Sequence, residues 1–329
     1  MRSEKWDAQI GGVKFSIRNL KSEIAIDVLC VGHAAYDISL QVSHHPGADE
    51  KCFAGSRVEC VGGPAANAAV TVARLGGRSG FAGYLGNDLY GERHFRELSA
   101  AGVNTDLLAR GDFPTPLSVI LVKPGGQRTV INHKNQTPPL THLPHDLSSW
   151  QIGAILFDGH EPDISLPLAE DAKSRGIPTL LDAGSVHRGT LMLTPQVDFL
   201  IASAKFAREF TGKADPEAAL PELAALAPAA MITLGERGLL WKRGEESGSY
   251  PAFAVEAIDT TGAGDVFHGA FALGVVWKFG FPKLLQFASA AAALSCTKSG
   301  ARNGIPGAKE VERFLEKLEK PDLKGFGNH

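Results

Sequence analysis

The sequence predicts an α/β fold in which a mostly parallel sheet carries helices on both faces and a small β-sheet lid projects from it. Three observations lead there. Short apolar runs that stop at glycine or a polar residue alternate with stretches of helical period from about residue 26 to 318, the pattern of parallel strands joined by crossover helices. Two segments, 38–62 and 115–134, break the alternation with strand-like runs that have no crossover helix of their own. The 329 residues, 44% of them hydrophobic and 21% charged, supply core enough for a sheet covered on both sides.

Residues 1–24 read as a weakly patterned N-terminal extension, 25–320 as the α/β domain and 321–329 as a C-terminal tail. The run 26–33 is apolar and ends at Gly32 and His33, as a buried strand does. After Pro64, apolar residues at 65, 68, 69, 72 and 75 keep a helical period; Pro64 suits a first helical position and Gly76 a stop. Further strands are expected at 79–85, 152–158, 178–182, 197–203 and 230–234, with helices at 89–101, 163–175, 204–211 and 216–226. Helices at 264–279, 282–297 and 308–317 follow. In the exceptional segments, runs 38–42 and 56–61 flank a polar loop, and runs 117–123 and 128–133 flank Pro124, Gly125, Gly126 and Gln127. They are expected to form two halves of one small antiparallel sheet, serving as a lid, a dimerisation flap or both.

A formal net charge of −3 provides no basic footprint for nucleic acid and no polybasic membrane patch. No apolar run reaches the ~20 residues that a spanning helix needs, and residues 1–19 are too polar for a signal peptide. Cys30, Cys52, Cys60 and Cys296 show no paired spacing, so reduced thiols are expected rather than a disulfide or zinc framework. The protein reads as cytoplasmic. His142 and His145 have a ligand-like spacing, but their proline-rich surroundings favour surface histidines.

The most informative segment is Asp259, Thr260, Thr261, Gly262, Ala263, Gly264 and Asp265, followed directly by a helical apolar pattern. Glycines at 262 and 264 let a ligand approach the main chain. The helix that starts here turns free N–H groups and the positive end of its dipole toward whatever fills the loop, which suits charge on a transferring phosphoryl group. Asp265 stands where a carboxylate can take a proton from an attacking hydroxyl. It also stands where aspartate caps helices, and this short motif does not by itself separate the two roles. The loop lacks the lysine of a Walker A motif, and its third glycine, Gly269, is misplaced for a dinucleotide fingerprint.

Two longer signatures separate them. Residues 61–76, from Val61, Gly62, Gly63 and Pro64 through Asn67 to Gly76, and residues 259–271 resemble the two signatures of the ribokinase-like (PfkB) carbohydrate kinases, in the right order and separation. The resemblance covers about residues 26–318. It implies ATP bound at the carboxyl edge of the sheet, used as its Mg2+ complex, and a sugar bound under the β lid. Asp265 matches the general base, and Gly262, Ala263 and Gly264 match the anion hole. Asp37 matches the aspartate that grips sugar hydroxyls; Gly62, Gly63 and Asn67 match further sugar-site positions. Glu209 matches a glutamate of the metal–water network, and Thr233, Gly235 and Gly238 match a segment along the nucleotide. Ser203 stands where many relatives have asparagine. Asp259, Thr261 and Gly300 match ligands of a K+ ion, while Gly304 replaces a serine ligand of some relatives. A homodimer through the lid sheets is also implied.

Within the family, residues 265–270 and 296–306 and the short second hairpin look most like the sulfofructose kinase and ketohexokinase-like branch. The expected substrate is a furanose-form pentose or ketohexose such as ribose, fructose or a modified ketose. An acidic sugar would need a cationic pocket, for which Lys51, Arg57, Arg128 and Lys134 are candidates with Asn132 as a polar helper. His160 replaces an arginine expected in that branch. The alternatives are a nucleoside kinase on the same fold, and a non-catalytic sugar-binding protein; the intact 259–265 loop speaks against the second.

Overall fold

The computed structural model describes residues 7–10, 13–16, 26–124, 127–134, 136–148 and 150–319. Strands β1 (Asp7–Ile10) and β2 (Val13–Ser16) form an antiparallel ladder of their own, so the expected unpatterned extension contains paired strands. The chain then runs β3 (Ile26–Val31), β4 (Ala35–Gln41), β5 (Ser56–Gly62), α1 (Pro64–Arg74), β6 (Ser79–Gly86), α2 (Leu89–Ala100), β7 (Leu108–Gly111), β8 (Leu117–Val122) and β9 (Arg128–His133). It continues with β10 (Ile152–Phe157), α3 (Pro162–Arg175), β11 (Thr179–Ala183), α4 (Arg188–Leu193), β12 (Phe199–Ser203), α5 (Ala204–Thr211), α6 (Pro216–Ala224) and β13 (Ala229–Thr233). An edge hairpin of β14 (Leu239–Arg243) and β15 (Glu246–Tyr250) precedes α7 (Ala263–Val276), α8 (Phe281–Ser295) and α9 (Ala308–Glu319).

Nine strands form one sheet in the order β15-β14-β13-β12-β11-β10-β3-β6-β7, parallel from β13 to β7 and antiparallel only through β14 and β15. Apolar side chains leave both faces of the strands. Val28, Cys30, Leu156 and Ile201 pack with α1, α7 and α8 on one side, while Leu29, Val31, Phe157 and Leu200 pack with α3, α5 and α6 on the other. Strand order reverses at β3, with β6 and β7 laid down to one side and β10 to β13 to the other. An open parallel sheet leaves its crevice at the carboxyl ends of the strands flanking such a reversal, here β3 and β10.

The second sheet has the order β5-β4-β8-β9. Its outer pairs are antiparallel, but β4 and β8 run parallel, so the expected all-antiparallel lid is corrected at its centre. The physical reason is that each half is a locally closed hairpin, whereas the join is set by how the chain re-enters after β6, α2 and β7. Short β7, six-residue α4 and the polar edge strand β15 were not expected either. They carry too few periodic apolar residues for a pattern to register.

Candidate active site

The lid sheet sets a row of polar residues side by side. Asp37 pairs in register with Cys60 on one flank and Ser118 on the other, and Ser118 pairs with Asn132. Cross-strand partners share a face. Asp37, Ser118 and Asn132 line a cavity of about 240 Å³ together with His33, Gly63, Lys134 and His160. Burial pushes the Asp37 carboxyl above its ordinary range, while Ser118 and the Arg302 guanidinium pull it back. Gly62 and Gly63 permit the close fit. A Cβ on Gly62 would lie 2.4 Å from Asp37 Oδ2, and one on Gly63, at φ 97°, would lie 2.4 Å from the His33 carbonyl oxygen.

One helical turn beyond Gly63, Asn67 is buried and its Nδ2 donates to Asp265 Oδ2 at 2.7 Å. Asp265 is the third residue of α7, whose N-cap is Gly262 at φ 78° with no side-chain cap bond. The bond to Asn67, not a helix cap, is therefore what holds this carboxyl. The Ala263 N–H leans on the Thr260 carbonyl at 3.3 Å, leaving Gly264 and Asp265 to present the first-turn amides that helix geometry leaves without a carbonyl one turn back. Burial, and then the nearby Asp182 carboxyl, raise Asp265 to about 7, with Asn67 and His268 opposing. Asp182 is raised to about 8, chiefly by burial and also by Asp158. His268 donates from Nδ1 to the Gly264 carbonyl at 2.6 Å, and burial holds its imidazole below its usual range.

Asp259, Thr261 and Gly300 are brought together. Asp259 Oδ1 accepts from the Thr261 N–H and Oδ2 from the Gly300 N–H, each at 2.9 Å. The carboxylate thus pins the loop before α7 to the turn after α8. The Gly300 carbonyl accepts from the Gly304 N–H at 3.2 Å, so it already serves its own turn. Among the described residues no three His, Cys, Asp or Glu side chains converge as a metal-holding group, and His142 and His145 are exposed.

Ser203 and Thr233 end neighbouring strands in register. The Ser203 hydroxyl caps α5, accepting from the Phe206 N–H at 2.9 Å and donating to the Gly184 carbonyl at 2.9 Å. Gly235 and Gly238 bound the tight turn that leads into β14, and the side of Gly235 is open. Glu209 is not brought to this edge. It lies exposed in the last turn of α5, 4.0 Å from Lys205, and its six-residue distance from Ser203 puts it about 9 Å along the helix. Buried Phe206 occupies the first turn instead. Of the cationic candidates, Arg57 pairs with Glu59 at 2.7 Å on the exposed lid, Lys51 is exposed, the Arg128 side chain lies outside the described residues, and Lys134 alone lines the cavity.

Sequence reasoning passed over Asp158. Directly after β10, it accepts from the His33 N–H (2.7 Å), the Ala65 N–H (3.2 Å) and the His160 N–H (2.9 Å), tying the ends of β3 and β10 to the start of α1. An aspartate between an apolar strand and a glycine was the available signal. The imidazoles of His33, His160 and His187 lie in series beside it: His33 is tilted against His160 at a ring-centroid distance of 4.9 Å, and His160 stacks on His187 at 4.6 Å. Burial depresses all three, His187 to about 4, so they form a neutral wall.

Comparison with known proteins agrees with this geometry. The profile described as pfkB family carbohydrate kinase matches residues 25–308. A ribokinase of Bacillus subtilis is 28% identical over 295 residues, 88% of this chain and 99% of its own length. A fructokinase-2 of Solanum habrochaites is 28% identical, covering 78% of this chain and 87% of its own. The solved structure of Arabidopsis thaliana ribokinase complexed with ribose and ATP superposes with a TM-score of 0.82 at 26% identity, covering 89% of this chain and 99% of that one. The chain belongs to the pfkB family of carbohydrate kinases, and is thus a phosphotransferase of ribokinase-like fold. No described helix is long and apolar enough to cross a membrane.

Proposed function

We propose that the chain transfers the γ-phosphoryl group of ATP to a hydroxyl of a ribose- or fructose-like furanose, with Asp265 as general base and the Gly262–Gly264 loop as anion hole. One observation carries the reading: a half-buried carboxyl, raised to about 7 and held by Asn67, stands at the open start of α7, while helix α1, which carries Asn67, begins at the cavity that Asp37 lines. A base with a pKa near neutrality both accepts a proton and releases it readily. Asp37 and Asn132 hold sugar hydroxyls, and Gly62 and Gly63 let the ring lie against the backbone. The adenine nucleotide lies along the strand ends at Ser203, Thr233, Gly235 and Gly238, a reading that gives Glu209 no role. Mg2+ enters with the phosphates, which ligate it together with water, so it needs few ligands from the protein. K+ at Asp259, Thr261 and Gly300 would neutralise the pinning carboxylate. Two copies associate through the lid, where Val58, Val130 and Ile131 are exposed.

A second reading adds an acidic substituent to the sugar. It is favoured by Lys134, which is half-buried at the cavity, meets His160 Nδ1 at 3.3 Å and has no carboxylate within 4.0 Å among the described residues. The test is ADP release with MgATP and a panel of ribose, fructose, related ketoses, their carboxylated or phosphorylated counterparts, and nucleosides. Turnover of the neutral sugars supports the first reading, and turnover of acidic ones alone supports the second. Turnover confined to nucleosides, or none with any member, rejects both.

A further inference from the structure

Arg302 lies in the turn between α8 and α9 and is 6% exposed. Its Nε donates to Asn67 Oδ1 at 3.0 Å and its Nη2 to His94 Nε2 at 2.7 Å. Its Nη1 is buried with no hydrogen-bond partner among the described residues. Arg74, at the far end of α1, donates through Nη1 to the carbonyls of Arg302 and Ile305 at 2.7 and 3.0 Å. The guanidinium is therefore set against α1 through both its side chain and its backbone.

A guanidinium can only donate. The Asn67 amide oxygen consequently faces Arg302, and its NH2 faces Asp265. We infer that Arg302 is a positioning residue, which locks the Asn67 amide in one orientation so that Asp265 Oδ2 stays occupied and Oδ1 is reserved for the proton of the attacking hydroxyl. The inference rests on the kinase reading above. In that reaction the sugar O–H bond breaks and its proton passes to Oδ1. The oxygen bonds to the γ-phosphorus, and the bridging oxygen leaves with ADP.

The need for a lock arises after proton transfer. A carboxylate attracts the amide NH2 unaided, but a protonated carboxyl could turn its O–H toward the amide oxygen if the amide were free to flip. With Arg302 in place, a flipped amide would set donor against donor in a buried site, where an unmet donor is costly. Oδ2 remains an acceptor in both protonation states, and the proton stays on the substrate side. The same cation acts electrostatically on Asp37 and on Asp265, the two carboxyls assigned to the sugar.

The test compares Arg302→Met and Arg302→Lys in the wild-type and Asn67→Ala backgrounds. In wild type, kcat falls about tenfold while the sugar KM changes less than about threefold. The acid limb of kcat moves to higher pH, because a cation favouring the charged base is gone while Asp182, Asp158 and His268 still face it. In the Asn67→Ala background the further loss is under about twofold, since the lock has nothing to hold. Lysine keeps the charge but cannot make both bonds, so it reports on geometry where methionine is not tolerated in the core. Equal losses with and without the Asn67 side chain, in whichever variant folds, overturn the inference. So does an unmoved acid limb in Arg302→Met. Asp265→Asn in the same assay reports on the kinase reading separately.

Discussion

Replacing Asp265 with asparagine separates a catalytic base from a structural carboxyl, because the two roles give opposite signs for stability. The substitution keeps shape and keeps an oxygen for the Asn67 Nδ2 bond of 2.7 Å. What disappears is the proton acceptor, worth about 10²–10⁴ in rate, or roughly 3–5 kcal/mol of barrier. Stability should move the other way. The Asp265 carboxyl rises from 3.8 to about 7 on folding, first through burial. A carboxyl raised in the folded state favours folding fully only below its unfolded pKa, and that contribution is lost as pH rises from about 3.8 to about 7. At pH 8 the wild type therefore carries a partly desolvated charge that the variant lacks. One pKa unit corresponds to about 1.4 kcal/mol, and since Asp182 and His268 share the burden, a gain on the order of 2 kcal/mol is expected, or a melting temperature raised by roughly 4 °C. The measurements are ADP release at saturating sugar and MgATP, and thermal melts at pH 5 and pH 8. The gain should shrink at pH 5. A variant that keeps its turnover, or that is less stable than wild type at pH 8, would refute the reasoning.

Asp37→Ala should raise the sugar KM by about 10- to 100-fold, the worth of charged hydrogen bonds to hydroxyls, with the ATP KM nearly unchanged; an equal rise in both would show that Asp37 supports the fold rather than the sugar. Wild-type activity should be higher in K+ than in Na+ at equal ionic strength, and Asp259→Ala should abolish that difference while lowering the melting temperature through the loss of two amide bonds. An enzyme indifferent to the cation rejects the K+ site. Sedimentation equilibrium should show a dimer that Ile131→Lys weakens, and a wild-type monomer throughout the micromolar range rejects the lid interface.

The main sheet was legible because its strands are short, largely apolar runs and its helices keep their period. The runs at 26–33, 152–158 and 197–203 hold β3, β10 and β12, and Pro64 opens α1. The local geometry at Asp265 was legible for a similar reason, since two glycines and a helix start lie within seven residues. Glu209 shows where such reading fails. Its place in a motif implied a site role, but a residue six positions past a cap lies nearly two turns down the helix, and only coordinates show which end faces the crevice.

By itself, the sequence determined the αβ alternation, the glycine-lined start of α7 and the class of chemistry, all of which depend on neighbours close along the chain. Only the tertiary structure decided that β4 and β8 meet in parallel, that Asp158 clamps the switch point, and that Arg302, 235 residues from Asn67, turns its amide toward Asp265. These are consequences of packing between distant segments, and a buried cation leaves no periodicity in the sequence to announce the partner it will find.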